Sequence, residues 1–258
     1  MKIINIGSLN IDHVYTVAHA VCPGETIAAK KLEKHCGGKG LNQSVALAKA
    51  GAEVYHAGKI GEDGQILLSL LKEYGVNTEY ISVQNKIPTG HAVIQVDSTG
   101  QNCIVVYGGA NADISKGEID SILKHFDDGD ILLVQNEVSN VDYAIVKAKE
   151  KNMTVILNPS PTENIIFSKN LSSVDWFLLN ETEGYEMTGE AEAEKICDCL
   201  LVKYPSCHVV LTLGENGSLY YDGKKKIKQE ARKVQAIDTT AAGDTFTGFF
   251  LAGLTRNM

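Results

Sequence analysis

Near the end of the chain an aspartate follows a run of small residues, Asp238-Thr239-Thr240-Ala241-Ala242-Gly243-Asp244, which leads into the apolar stretch Phe246 to Leu254. Small side chains at a helix start leave backbone N–H groups uncovered. Those amides, at the positive end of the helix, form an anion site. A carboxylate placed there would repel a bound phosphate unless it has a role of its own. Activating a hydroxyl beside the anion hole is such a role, because phosphoryl transfer needs a positioned base together with charge stabilisation. The same letters also fit a purely structural reading, with Asp238 or Thr240 as helix N-cap and Asp244 in a first turn where the dipole favours an acid.

Three further segments carry candidate chemistry. In His35-Cys36-Gly37-Gly38-Lys39-Gly40-Leu41-Asn42-Gln43, glycines surround a lysine just ahead of a helical pattern, so a ligand could approach the backbone closely. This is not the phosphate loop of nucleotidases, since Lys39 is followed by Gly40 rather than Ser or Thr. A tight turn into a helix would use the same residues. Gly7-Ser8-Leu9-Asn10-Ile11-Asp12 closes the first strand-like run. Ligands of open α/β sheets sit beyond the carboxyl ends of strands. Asn10 and Asp12 point the same way on an extended segment and could bind two hydroxyls, or belong to an ordinary turn. Asn180-Glu181-Thr182-Glu183 follows another strand-like run. Its oxygens could orient the waters of a magnesium ion, and a helix capping box has the same spacing.

The elements that must position these groups are legible as apolar runs. Ile3 to Leu9, Val54 to Ile60, Ile131 to Gln135, Thr154 to Leu157, Trp176 to Leu179 and Val209 to Leu213 are near-continuous in Ile, Val and Leu, as parallel strands covered on both faces are. Helical patterns lie between them at Leu41 to Ala50, Gly64 to Tyr74, Lys116 to Phe126, Val141 to Lys151 and Glu190 to Tyr204. This alternation predicts an α/β fold, a doubly wound and mostly parallel central sheet flanked by helices. Two regions, about 12–36 and 89–107, break the rhythm. The second reads as strands His91 to Val96 and Asn102 to Tyr107 around the turn Asp97-Ser98-Thr99-Gly100. Together they suggest a small separate β layer, which could cover a ligand as a lid or be decorative hairpins. An exposed β edge could also be covered by a second copy of the chain. The run Lys224-Lys225-Lys226 after Asp222-Gly223 reads as a solvated hairpin tip.

Composition excludes several classes. The 258 residues are 44% hydrophobic with 24 Gly and 5 Pro, which is ordinary for a globular chain. The net charge of −8 disfavours a general nucleic-acid binder. No apolar run approaches a membrane span. Six cysteines occur without a Cys-x-x-Cys pair, which fits reduced thiols in the cytoplasm.

Taken in order, the four segments resemble the ribokinase-like carbohydrate kinase family. The likeness runs along essentially the whole chain and includes Pro23-Gly24-Glu25-Thr26, Gly61-Glu62-Asp63, Asn158-Pro159-Ser160-Pro161 and Thr212-Leu213-Gly214. It implies a single α/β kinase domain over 1–258, with a lid. It also implies ATP-dependent phosphorylation of D-ribose at its primary 5-hydroxyl. The alternatives are a kinase for another pentose, deoxyribose or a nucleoside, or a non-catalytic sugar-binding relative. The resemblance implies Asp244 as base, and an anion hole at Ala241, Ala242 and Gly243. It implies sugar contacts at Asn10, Asp12, Gly38, Lys39, Asn42 and Glu137. Asn180, Thr212 and Gly214 would line the nucleotide site, Glu183 would organise Mg2+ through water, and Asp238 and Thr240 would hold part of a K+ site. Pairing of two copies through their lids is implied as well. Family members continue beyond the helix in which Met258 stands, so the chain is expected to lack a C-terminal segment carrying much of the adenine pocket and the remaining K+ ligands.

Overall fold

The computed structural model describes residues 1–162, 171–235 and 239–256. Among them the strands, in chain order, are β1 (Ile3–Ile6), β2 (Asn10–Thr16), β3 (Lys31–Gly37), β4 (Val54–Gly61), β5 (Asn77–Gln84), β6 (Gly90–Val96), β7 (Asn102–Tyr107), β8 (Ile131–Gln135), β9 (Thr154–Asn158), β10 (Trp176–Asn180), β11 (His208–Thr212), β12 (Ser218–Tyr221) and β13 (Lys226–Gln229). The helices are α1 (Lys39–Lys49), α2 (Gln65–Glu73), α3 (Lys116–Leu123), α4 (Val141–Glu150), α5 (Glu181–Thr188), α6 (Ala193–Lys203) and α7 (Ala242–Thr255).

Nine strands form the main sheet in the order β13-β12-β11-β10-β9-β8-β1-β4-β5. From β11 to β5 every neighbouring pair is parallel, and the β11–β12–β13 end is antiparallel. The apolar runs explain this. Alternate residues of one strand enter opposite cores: Ile4, Ile6, Leu132 and Val134 pack into one cluster, and Ile3, Ile131 and Leu133 into the other. Helices on both faces supply the other halves of those cores. The doubly wound parallel sheet expected from the sequence is the observed one.

Some boundaries differ from the sequence reading, each for a local reason. The first strand ends at Ile6 rather than Leu9, because the Ser8 carbonyl accepts from the Leu41 N–H (3.0 Å) at the start of α1 instead of from a strand. Helix α6 begins at Ala193 rather than Glu190. The preceding helix, α5, is closed by Gly189 in the left-handed region (φ 78°), which separates the two. Strand β5 was not expected. It is the edge strand, alternates exposed and half-buried positions, and so carries no continuous apolar run.

The second sheet has the order β3-β2-β6-β7, with β2 and β6 parallel and the outer pairs antiparallel. It takes in most of the two regions that broke the α/β rhythm. The lysine run sits on the turn between β12 and β13, where Asp222 Oδ1 accepts from the N–H groups of Lys224 (2.9 Å) and Lys225 (2.6 Å).

Candidate active site

The predicted site residues converge at the carboxyl ends of the parallel strands. Strand β1 has β8 on one side and β4 on the other, so the strand order reverses at this point of the sheet. Beside it, at the carboxyl ends of β9, β10 and β11, a cleft of about 170 Å3 is lined by Lys39, Asn158, Asn180, Glu183, Thr212 and Asp244, among others. The amino ends of α1 and α7 border the same cleft.

Two glycines allow α1 to come this close. Gly38 adopts φ 96°, a conformation that L side chains rarely take. A Cβ on Gly40 would lie 2.4 Å from the Ser8 nitrogen and 2.5 Å from the Gly7 carbonyl carbon, so backbone meets backbone at this point.

Asp244, in the first turn of α7, is only 8% exposed. Its Oδ2 accepts from Asn42 Nδ2 (3.2 Å) and its Oδ1 from Gln43 Nε2 (2.8 Å), both on α1. Ala241 stands at the N-cap with φ 56°. The Ala242 N–H closes a turn onto the Thr239 carbonyl (3.1 Å), and the Thr245 N–H returns to Ala241 (2.8 Å). The Ala242 amide is therefore engaged within its own loop, while Ala241, Ala242 and Gly243 all line the cleft. Thr240 lies in the exposed turn before the helix, and Asp238 falls outside the described residues.

A second polar group gathers where β1 passes into β2. Asn10 is buried, and its Oδ1 accepts from Asn111 Nδ2 (2.8 Å). That contact turns the Asn10 amide N–H groups away from Asn111. Glu137 Oε2 accepts from the Lys39 N–H (3.0 Å) and from the Ser8 hydroxyl. Asp12 pairs with His35 across the ladder to β3. Burial raises its pKa, the Glu137 charge raises it further, and His35 pulls the other way. Asn10, Asp12, Glu137 and Lys39 thus form one polar cluster, and Lys39 also lines the cleft beside Asp244.

In the cleft that Asp244 lines, Asn180 and Glu183 make the capping box of α5. Asn180 Oδ1 accepts from the Glu183 N–H (2.9 Å) and Glu183 Oε2 from the Asn180 N–H (3.0 Å). The structural alternative for this motif is realised, yet both residues also line the cleft. Thr212 ends β11, and Gly214 follows with φ 54°. Among the described residues no three His, Cys, Asp or Glu side chains are grouped to hold a metal ion.

The profile of the pfkB family of carbohydrate kinases matches residues 1–258. The chain belongs to the pfkB family. It is 36% identical to the ribokinase of Haemophilus influenzae over 96% of this chain and 84% of that one. It is 31% identical to the deoxyribokinase of Salmonella typhimurium over 97% of this chain and 84% of that one. The structure of Arabidopsis thaliana ribokinase complexed with ribose and ATP superposes with a TM-score of 0.84 at 31% identity, covering 99% of this chain and 86% of that one. Its family makes the protein a kinase that phosphorylates an alcohol group.

In this pfkB kinase, sequence reasoning missed the polar residues behind the site. Gln43, Gln135, Asn5, Ser44 and His56 are all fully buried. Gln43 adjoins Asn42 in the glycine segment and could have been suspected from that position. Asn111 carries no local signal at all. His56 holds Ser44 Oγ at 2.8 Å and the Gly7 carbonyl at 3.2 Å, and burial lowers its pKa from 6.5 to about 4. Its depressed pKa makes the unfolded chain bind one proton more between those limits. Stability is therefore complete above pH 6.5 and falls on acidification toward pH 4, by roughly 3 kcal/mol from this residue. Urea unfolding across that pH range measures the slope, and His56→Gln is expected to flatten it.

Proposed function

We propose that the chain transfers the γ-phosphate of ATP to the primary 5-hydroxyl of D-ribose, giving ribose 5-phosphate and ADP. The observation that carries this reading is the placing of Asp244. It lines one cleft with Lys39, Asn180, Glu183 and Thr212, Lys39 links that cleft to Glu137 through its N–H, and Asn42 donates to its Oδ2. Asn10, Asp12, Gly38, Lys39, Asn42 and Glu137 hold the sugar hydroxyls. Asp244 Oδ2 takes the proton of the attacking hydroxyl. The loop Ala241, Ala242 and Gly243 and the positive end of α7 stabilise charge on the transferring phosphoryl group, with the Ala242 N–H released from the Thr239 carbonyl or held in the turn that shapes the loop. Thr212 and Gly214 line the nucleotide, with Asn180 at its phosphates. Mg2+ bound with the nucleotide would neutralise charge on the phosphate oxygens, and Glu183 would orient its waters. Asp238 and Thr240 would give part of a K+ site that orders the anion-hole loop.

Ribose is favoured over 2-deoxyribose by the ribokinase relatives, although deoxyribokinases are also among the similar proteins. A panel of ribose, 2-deoxyribose, other pentoses and nucleosides with coupled ADP detection decides it. We expect kcat/KM to be highest for ribose. A higher value for 2-deoxyribose or a nucleoside would reassign the substrate, and ribose binding without ADP would favour a sensor. Replacing K+ by Na+ is expected to lower the rate.

The four-stranded sheet would act as a lid, since β2 carries Asn10 and Asp12 at its root. Its outer strand β7 exposes Ile104, Val105, Val106 and Tyr107, which are between 51% and 69% exposed. Such an apolar edge calls for a cover, and we assign that role to the lid of a second copy. Light scattering at micromolar concentration should give twice the chain mass, and Val105→Asp should halve it. Among the described residues no helix is long and apolar enough to cross a membrane. With six free thiols, we place the protein in the cytoplasm.

A further inference from the structure

We infer that Gln43 and Gln135 are positioning residues that hold the Asp244 carboxylate with Oδ1 engaged from behind, so that Oδ2 is the oxygen presented to the acceptor hydroxyl. This rests on Asp244 as the base. Gln135 does not touch Asp244 and acts through Gln43.

The argument is one of hydrogen-bond direction. A backbone carbonyl can only accept, so the His56 Nε2 that contacts Gly7 O (3.2 Å) carries the proton. His56 is neutral near pH 7, which leaves Nδ1 as an acceptor and makes the Ser44 hydroxyl its donor (2.8 Å). Ser44 Oγ then accepts from Asn5 Nδ2 (2.9 Å), whose other hydrogen goes to the Gly40 carbonyl (2.8 Å). The Asn5 amide is thereby oriented, with Oδ1 toward Gln135. Gln135 Nε2 donates both hydrogens, one to Asn5 Oδ1 (3.0 Å) and one to Gln43 Oε1 (2.7 Å). Gln43 in turn must present Nε2 to Asp244 Oδ1 (2.8 Å) and to Asn158 Oδ1 (3.1 Å). Asn158 is oriented independently by its bond to the Leu178 carbonyl (2.9 Å). Three main-chain carbonyls, of Gly7, Gly40 and Leu178, therefore dictate that a donor and not an acceptor faces the base.

Turning the Gln43 amide over would set its oxygen against a carboxylate and its N–H groups against those of Gln135. Each mismatch leaves buried polar atoms unpaired. The network also keeps one such atom in its working state. Gln135 Oε1 is buried without a hydrogen-bond partner among the described residues. It lies 2.6 Å from the position that a Cβ on Gly7 would take. An apolar side chain at 135 would avoid this cost of an orphaned acceptor. The arrangement makes sense when both donors of Gln135 are needed, and one of them sets Gln43.

The test is a double-mutant cycle in kcat with the sugar KM measured alongside, on the full chain. Gln135→Met is expected to lower kcat about 10- to 100-fold, as for a base displaced by a fraction of an ångström to one ångström, with the sugar KM within about twofold. Gln43→Met should do at least as much, and the double variant should be no worse than Gln43→Met alone, because the two act in series. Unchanged kcat in Gln135→Met, or multiplied losses in the double variant, overturns the positioning role. Asp244→Asn, run beside them, separates the two levels. Retained turnover there removes the base itself, whereas lost turnover there with a normal Gln135→Met removes only the positioning. A nuclear magnetic resonance measurement on the unaltered protein covers the case in which a variant does not fold. The Gln43 side-chain amide protons should exchange slowly and show scalar coupling across the hydrogen bond to the Asp244 carboxyl carbon. Exchange at solvent rates would overturn the proposal.

Discussion

Asp244→Asn is expected to lower kcat by about a thousandfold while ribose affinity stays within a few-fold. General-base catalysis contributes about 10^2- to 10^4-fold, and a thousandfold corresponds to about 4 kcal/mol of lost transition-state stabilisation. The substitution is nearly isosteric, and the buried position becomes neutral. One contact survives, since the new amide oxygen can still accept from Gln43. The other reverses, because an amide nitrogen would then face Asn42 Nδ2, donor against donor. Turnover from initial rates and affinity from calorimetry read the two effects separately. Undiminished turnover would place the base elsewhere.

Gly40→Ala is expected to destabilise the fold by about 1–3 kcal/mol and to weaken sugar binding at the same time. The added Cβ would meet the Ser8 nitrogen at 2.4 Å and the Gly7 carbonyl carbon at 2.5 Å. Both are backbone atoms and neither can rotate away. Whatever shift relieves the contact separates α1 from the loop after β1. That loop and α1 jointly hold Glu137 through Ser8 Oγ and the Lys39 N–H. Urea midpoints and ribose titrations measure both parts. Gly117→Ala in α3 is the control, since a Cβ there meets nothing within 4 Å. It should be neutral or slightly stabilising. Equal behaviour of the two variants would show that the approach at Gly40 is not tight in solution.

The parallel strands were legible because burial on both faces demands unbroken runs such as Ile131 to Val134. Strand β5 was not, because an edge position relaxes that demand. Helix α5, with Glu183, Gly184 and Met187 as its buried residues, was announced by its capping letters rather than by an apolar stripe. Asp244, Lys39 and Asn10 could be singled out since each sits beside glycines, small residues or a strand end. Their neighbours behind the site could not. Asn5 and His56 stand inside apolar strands, and what matters about them is a partner far away in sequence. The bond from Asn42 to Asp244 spans 202 positions, and that from Gln135 to Asn5 spans 130. Local pattern tells which residue types are near a strand end, but only the closed fold tells which amide faces which.

Strand β2 is rooted at Asn10 and carries Asp12 two residues on, yet runs to Thr16 and is bonded along its length to β3 and β6. Mechanically it is a stiff beam with Asn10 and Asp12, the proposed sugar ligands, near its fulcrum. Asp12 lies about 7 Å from Asn10 and Thr16 about 20 Å, at about 3.3 Å per residue. Rotation about the root moves the tip roughly three times as far as the carboxylate. Conversely, a load on the outer edge reaches Asp12 reduced in travel and increased in force. A partner clasping β7 would therefore trim the position of Asp12 by fractions of an ångström, the scale on which catalytic rates change.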